Sequence, residues 1–179
     1  MQFKKNLLTA TLLAAASLTA VSANAAVTAD KTFQVKIEIT SVCTVDATVG
    51  ANDVDFGQVV AGTAATTQAG TPLTVSCSKN TPYIVNLTPS NANVNGLGEM
   101  KGPGSGTTEI PYQLRKAAGD SAAVWGNQGT LTTVGNGIAG TGLGVNSPIT
   151  HTVYATATAA ATDVPTGNYV DTVTVNVTY

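Results

Sequence analysis

Residues 33–40 read Phe-Gln-Val-Lys-Ile-Glu-Ile-Thr, with apolar side chains at every odd position (Phe33, Val35, Ile37, Ile39) and polar ones at every even position (Gln34, Lys36, Glu38, Thr40). A period of two separates these sets only in an extended chain, where successive side chains point to opposite faces. The same rule returns at the other end. Tyr169, Val173, Val175, Val177 and Tyr179 occupy odd positions there, and Thr172, Thr174, Asn176 and Thr178 occupy even ones. Chain ends ordinarily fray and expose their side chains, so an apolar face carried to the last residue predicts that something lies beside that strand.

Between these ends the pattern predicts further strands at 43–49, 54–57, 73–77, 83–87, 110–114, 131–134 and 149–158, several of them separated by Gly, Pro, Asn or Ser clusters. Residues 60–72 and 90–108 read as loops. Only 10% of residues are charged, and Thr, Ala, Gly, Val and Asn dominate, which suits strands and tight turns and disfavours long amphipathic helices. Many short antiparallel strands predict an all-β sandwich of the immunoglobulin-like class.

The first residues carry a separate message. Lys4 and Lys5 precede an uncharged apolar stretch, residues 7–21, and Ala23-Asn24-Ala25 ends it with small residues, the arrangement of a secretory signal cut between Ala25 and Ala26. The stretch is shorter than the roughly 20 residues needed to span a bilayer, and no second one follows, so the mature chain is expected to have no membrane span. Cutting 25 residues from 179 leaves 154, enough for one domain. The cut removes two of the eight basic residues and none of the ten acidic ones, leaving a formal charge of −4 that argues against nucleic acid as a partner. Cys43 and Cys77 are the whole cysteine complement, and in an oxidising compartment such a pair is expected to form a disulfide.

Catalytic chemistry finds little support. His151 is the only histidine, it alternates with Ile149 and Val153 in a predicted strand, and no acid and nucleophile accompany it. Asp53 and Asp55 point the same way if 53–56 is a strand, but cation binding needs further ligands. The glycines of Gly135-Asn136-Gly137-Ile138-Ala139-Gly140 match a phosphate-loop spacing, yet Thr141 to Pro148 cannot supply the helix that such a loop opens, so a surface turn is expected. The two Asn-x-Thr sequons, at Asn86 and Asn176, fall within predicted strands and read as chance matches. Trp125 and the scattered tyrosines read as core. No enzyme activity, metal or cofactor is expected.

Three stretches together resemble the spore coat U domain, found in subunits of archaic, Csu-type chaperone-usher pili. The first runs through Ser41-Val42-Cys43, Asp53-Val54-Asp55-Phe56-Gly57 and Leu73-Thr74-Val75-Ser76-Cys77. The second is Tyr112-Gln113-Leu114 with Ala122-Ala123-Val124-Trp125-Gly126. The third is Pro165-Thr166-Gly167-Asn168-Tyr169, continuing through Asp171 to Tyr179. Residues 60–72 and 135–144 have no counterpart in the resemblance.

The resemblance implies an immunoglobulin-like sandwich that lacks its last strand, leaving a groove beside Val173, Val175, Val177 and Tyr179. A periplasmic chaperone fills such a groove first, and the N-terminal strand of another pilin subunit later replaces it, with an outer-membrane usher in between. Residues 26–40, through Phe33, Val35, Ile37 and Ile39, are then the donor strand, and residues 41–179 the incomplete domain. Alternation by itself fits equally well a first strand of the chain's own sandwich. A structural pilin passing through the periplasm to an extracellular pilus, serving attachment and biofilm formation, is the leading expectation. A tip adhesin or other extracellular binding module, and a secreted spore-coat-like protein, are the alternatives. Adhesins of such systems generally carry a further binding domain, for which 154 residues leave little room.

The export reading has a direct check: amino-terminal sequencing of the protein recovered from the periplasm is expected to start at Ala26, and a start at Met1 would refute it.

Overall fold

The computed structural model describes residues 28–66, 70–103 and 108–179; the signal segment and the cleavage pair Ala25 and Ala26 lie outside them. The chain divides into two units, Met1–Glu38 and Ile39–Tyr179. In the first, the described residues 28–38 enter no strand ladder and their side chains are exposed. In the second, the described residues form nine strands and no helix: β1 (Cys43–Asp46), β2 (Ala65–Thr66), β3 (Thr71–Cys77), β4 (Pro82–Pro89), β5 (Leu97–Lys101), β6 (Glu109–Arg115), β7 (Ile138–Thr141), β8 (Ile149–Ala157) and β9 (Val173–Thr178).

The strands make two sheets, one in the order β1-β3-β8-β6-β5 with β2 also on β8, the other in the order β7-β4-β9, every pair antiparallel. The period-two patterns set the faces. Leu73, Val75 and Cys77 of β3, Tyr83, Val85 and Leu87 of β4, Ile110, Tyr112 and Leu114 of β6, and Val153, Ala155 and Ala157 of β8 form one buried core with Trp125. In β4 the other face is covered too. Ile84 and Asn86 are buried, and Asn86 exchanges hydrogen bonds with both the amide and the carbonyl of Gly129.

One side of the sandwich is stitched by backbone. Trp125 donates its amide to Leu114 of β6, while Leu87 of β4 donates to the neighbouring Gly126, so residues 125–126 tie one sheet to the other. The Trp125 indole N–H donates to the Val85 carbonyl at 3.0 Å, which lets a polar group lie in a fully buried place without loss.

Several sequence expectations need correction. Residues 90–108 contain β5, and 60–72 contain β2 and the start of β3. The glycine-rich stretch expected as a surface turn contains β7. Glycine hides both β5 and β7 from pattern reading and is also what they require. Gly98 stands opposite Tyr112 and Gly140 opposite Tyr83, and a Cβ at either would collide with the facing ring. Residues 131–134, expected as a strand, lie in a turn in which Thr130 and Thr133 exchange backbone hydrogen bonds. Residues 54–57 form no ladder, although Val54 and Phe56 pack against the core and Asp53 and Asp55 are exposed, the alternation of a strand. Their spacing was legible, but they pair with no strand among the described residues.

Cys43 and Cys77 are bonded and directly opposed in the β1–β3 ladder. Closing a loop of 34 residues restricts the unfolded chain by about 3–4 kcal/mol on the loop-entropy estimate. Cys43→Ser is expected to lower stability by about that amount, a shift of roughly 10 °C in Tm for a domain this size. Thermal and urea unfolding of the variant check this, and unchanged midpoints would remove the bridge from the account.

Candidate functional site

The side of the sandwich away from Trp125 is not stitched. There β9 ends one sheet and β1 ends the other, and neither edge has a further strand among the described residues. β1 approaches β9, but between β9 and residues 47–56 the two sheets part around a groove of about 600 Å³. Its floor is apolar, made by Leu73, Leu87, Leu114, Val153 and Ala155 from both sheets, with Met100 and Tyr112 toward one end. One wall is Val173 and Val175 of β9, and the other is residues 47–56, including Val54 and Phe56.

The end of the groove is built by a crossing of the chain. Val170 pairs with Lys101, exchanging both backbone hydrogen bonds, whereas Val173 already pairs with Pro89 of β4. Residues 170–173 therefore carry the chain from one sheet to the other. Tyr112 holds this crossing by donating its hydroxyl to Asp171 Oδ2 at 2.7 Å, while Asp171 Oδ1 accepts from the Thr172 amide. Burial first, then the hydrogen bond and charge of Asp171, push the Tyr112 hydroxyl far above its ordinary pKa, so it remains a donor at any physiological pH.

The expected site residues fall as follows. Val173 and Val175 line the groove. Val177 is half-buried and packs against the core without lining the groove, and Tyr179 is 48% exposed. Alternating burial along β9 shows how incomplete the cover is: Val173, Val175 and Val177 are only half-buried, whereas Pro89, Leu87 and Val85, their partners on β4, are fully buried. Phe33, Val35, Ile37 and Ile39 are 79–89% exposed. Single exposed apolar residues are ordinary, but four in period two on an unpaired segment are not. Asp53 and Asp55 do not converge on a metal cluster; Asp53 accepts from the Gly50 amide and Asp55 from the Gly57 amide. Sequence reading passed over the Tyr112–Asp171 pair and the floor as a site. The floor residues carry only a core signal, and nothing in spacing links positions 112 and 171.

His151 lies away from the groove, in a link between the sheets. Its Nε2 is 2.9 Å from the Tyr83 hydroxyl of β4, and its ring stands edge-on to both Tyr83 and Trp125. Burial lowers its pKa below the ordinary 6.5, because the charged ring loses water that these aromatics do not replace.

The profile of the Spore Coat Protein U domain matches residues 29–176. Among solved structures, the chain is similar to one in the CsuC–CsuE complex of a chaperone and tip adhesion subunit from archaic chaperone-usher Csu pili of Acinetobacter baumannii. The identity is 22% and the TM-score 0.49, over 79% of this chain and 40% of that one. It is similar also to one in a chaperone–tip adhesin complex of CFA/I fimbriae, with 11% identity and a TM-score of 0.45, over 76% of this chain and 42% of that one. The chain thus spans about two fifths of the length of the solved chains it matches. No curated protein matches it.

The histidine link predicts a pH dependence. Above about pH 6.5 both folded and unfolded chains hold His151 neutral, and the full stability is present. As pH falls through 6.5 the unfolded chain takes the proton first, so stability declines until the lowered folded-state pKa is passed. Urea unfolding between pH 7.5 and about 5 is expected to show this slope in the wild type and a flatter one in His151→Gln, and equal slopes would remove His151 as its source.

Proposed function

We propose that this chain, which belongs to the Spore Coat Protein U domain family, is a structural pilus subunit that polymerises by donor-strand exchange. The observation that carries the reading is the apolar groove beside the unpaired edge of β9. A sheet edge offers a row of unpaired amides and carbonyls, and an extended segment added there gains main-chain hydrogen bonds while its alternate side chains enter the groove. Residues 33–39 supply such a segment. Seven residues at about 3.4 Å each extend over roughly 24 Å, enough to run the length of the six-residue β9. Their four apolar side chains, 79–89% exposed, would each contribute about 1.5–3 kcal/mol on full burial, before the cost of ordering is deducted.

In this reading residues 26–40 are the donor and 41–179 the acceptor domain. A periplasmic chaperone covers the groove first, an outer-membrane usher mediates the exchange, and other pilin subunits provide the replacing strand. The product is an extracellular pilus, with attachment and biofilm formation as its service to the cell. A head-to-tail contact of this kind does not close on itself, so it propagates. The role asks no catalysis of the chain, in keeping with the structural pilus proteins of its family and fold.

Ile37→Asp tests the reading. A carboxylate on the donated face would be buried without a partner at a cost of several kcal/mol, so fibre growth is expected to fall by about a thousandfold or more while soluble periplasmic subunit persists. Polymer ladders on unheated gels measure the first, and undiminished ladders would sink the proposal.

A further inference from the structure

The strand-docking reading leaves the register open, because a slip of two residues keeps every side chain on its own face. Phe33, Val35, Ile37 and Ile39 are all apolar, so shape alone separates such slips poorly. Charge separates them. The lining of the groove contains three carboxylates, Asp53, Asp55 and Asp171, and no lysine, arginine or histidine among the described residues. Asp171 is engaged with Tyr112 and Thr172. Asp53 and Asp55 are exposed on the outer face of the wall opposite β9, each using one oxygen on a glycine amide. Beneath them the backbones of Val54 and Phe56 have no hydrogen-bond partner among the described residues, which leaves that wall a second free edge.

A strand seated between β9 and this wall with its apolar face inward turns Gln34, Lys36 and Glu38 outward, to the side of Asp53 and Asp55. Lys36 is the one cation of that face. Cross-strand neighbours lie about 5 Å apart, close enough for opposite charges to attract and like charges to repel. Registers that bring Lys36 to these aspartates are favoured, and the slip that brings Glu38 there is opposed.

The geometry also decides whose segment it is. The groove lies at the Leu73 end of β3, while the segment departs from the Cys77 end, four residues or about 13 Å away. Val42 is pinned there, its amide donating to Ser78 Oγ and its carbonyl accepting from the Ser78 amide. Only Thr40 and Ser41 separate it from Ile39. A two-residue reversal needs left-handed backbone that Gly, Asn or Asp supplies and a β-branched threonine resists.

We propose that the groove is filled by residues 33–39 of a second copy of this chain, in a register fixed by Lys36 against Asp53 and Asp55. The inference rests on the strand-docking reading, and the test separates the two. The acceptor is the full mature chain carrying I37D, whose own segment is disabled and whose groove is unaltered. Labelled peptides of residues 29–41, as wild type, K36E and I37D, are titrated against it by fluorescence anisotropy.

The wild-type peptide is expected to bind, and K36E to bind about fivefold more weakly at roughly 50 mM salt, with the gap narrowing at about 500 mM. D53N/D55N in the acceptor, which keeps the oxygens that accept from Gly50 and Gly57, is expected to abolish the gap. Equal binding of wild-type and K36E peptides overturns the register and leaves the groove standing. Wild-type and I37D peptides that behave alike overturn both. The wild-type chain is expected to form oligomers that lengthen with concentration. A monomer at all concentrations, with residues 33–39 protected from hydrogen exchange, overturns the second copy as occupant.

Discussion

The free edge of β9 is the constraint on which the rest of the structure turns. A sandwich is stable when both flanks of its core are covered, and here the two flanks are treated differently. On one, Trp125 and Gly126 join β6 to β4 by backbone hydrogen bonds and fill the gap with the largest fully buried side chain. On the other, two edge strands face each other across an unfilled groove. The half-burial of Val173, Val175 and Val177, against complete burial of Val85 and Leu87 on the neighbouring strand, is the same asymmetry seen residue by residue.

That asymmetry explains why other devices are placed where they are. The groove is bordered by structure from both sheets. The crossing at 170–173 caps one end and is itself held by Tyr112, whose ring is seated over Gly98 and whose hydroxyl reaches Asp171. The other tyrosine of this kind, Tyr83, lies over Gly140 and reaches His151 in the opposite sheet. Both use the same solution: a glycine clears space for a ring, and the ring delivers a hydroxyl to a distant partner. Buried hydroxyls placed so are satisfied, and none of the described buried side-chain polar atoms lacks a partner.

How much of this was legible in the sequence depended on whether a strand advertises itself by alternation. β3, β4, β6 and β9 did, because their inward side chains are large and regularly spaced, and β8 did through its Thr/Ala-rich run although Ala155 and Ala157 are small. β5 and β7 did not, since Gly98 and Gly140 put no side chain where the pattern demands one. At 131–134 the order of apolar and polar residues resembled a strand, but local Thr130–Thr133 bonding made a turn. Of the residues expected at the groove, Val173 and Val175 line it, and the floor was illegible. Leu73, Leu87 and Leu114 look like any core residues, and that they border a groove follows only from how the two sheets are placed. Residues 53–57 are the instructive case, with a strand's spacing and no ladder partner among the described residues.

The disulfide gains meaning from the same geometry. β1 joins the sheet through a four-residue ladder to β3, and Cys43 is its first member, next to Val42, whose hydrogen bonds to Ser78 are the last hold on the residues before it. Any pull on those residues reaches the fold at Val42 and Cys43. A short antiparallel ladder loaded from its end peels one pair at a time, and each backbone hydrogen bond contributes only about 1 kcal/mol, so β1 by itself resists weakly. A covalent link at the first pair changes the failure mode. The load passes into Cys77, whose side chain is buried in the core, and β3 is held along its length by β8 as well as β1. Peeling β1 then requires dislodging β3 from the larger sheet. In the fibre proposed above, each subunit would hang from the segment before Cys43, and the bridge would protect the whole ladder from its first pair.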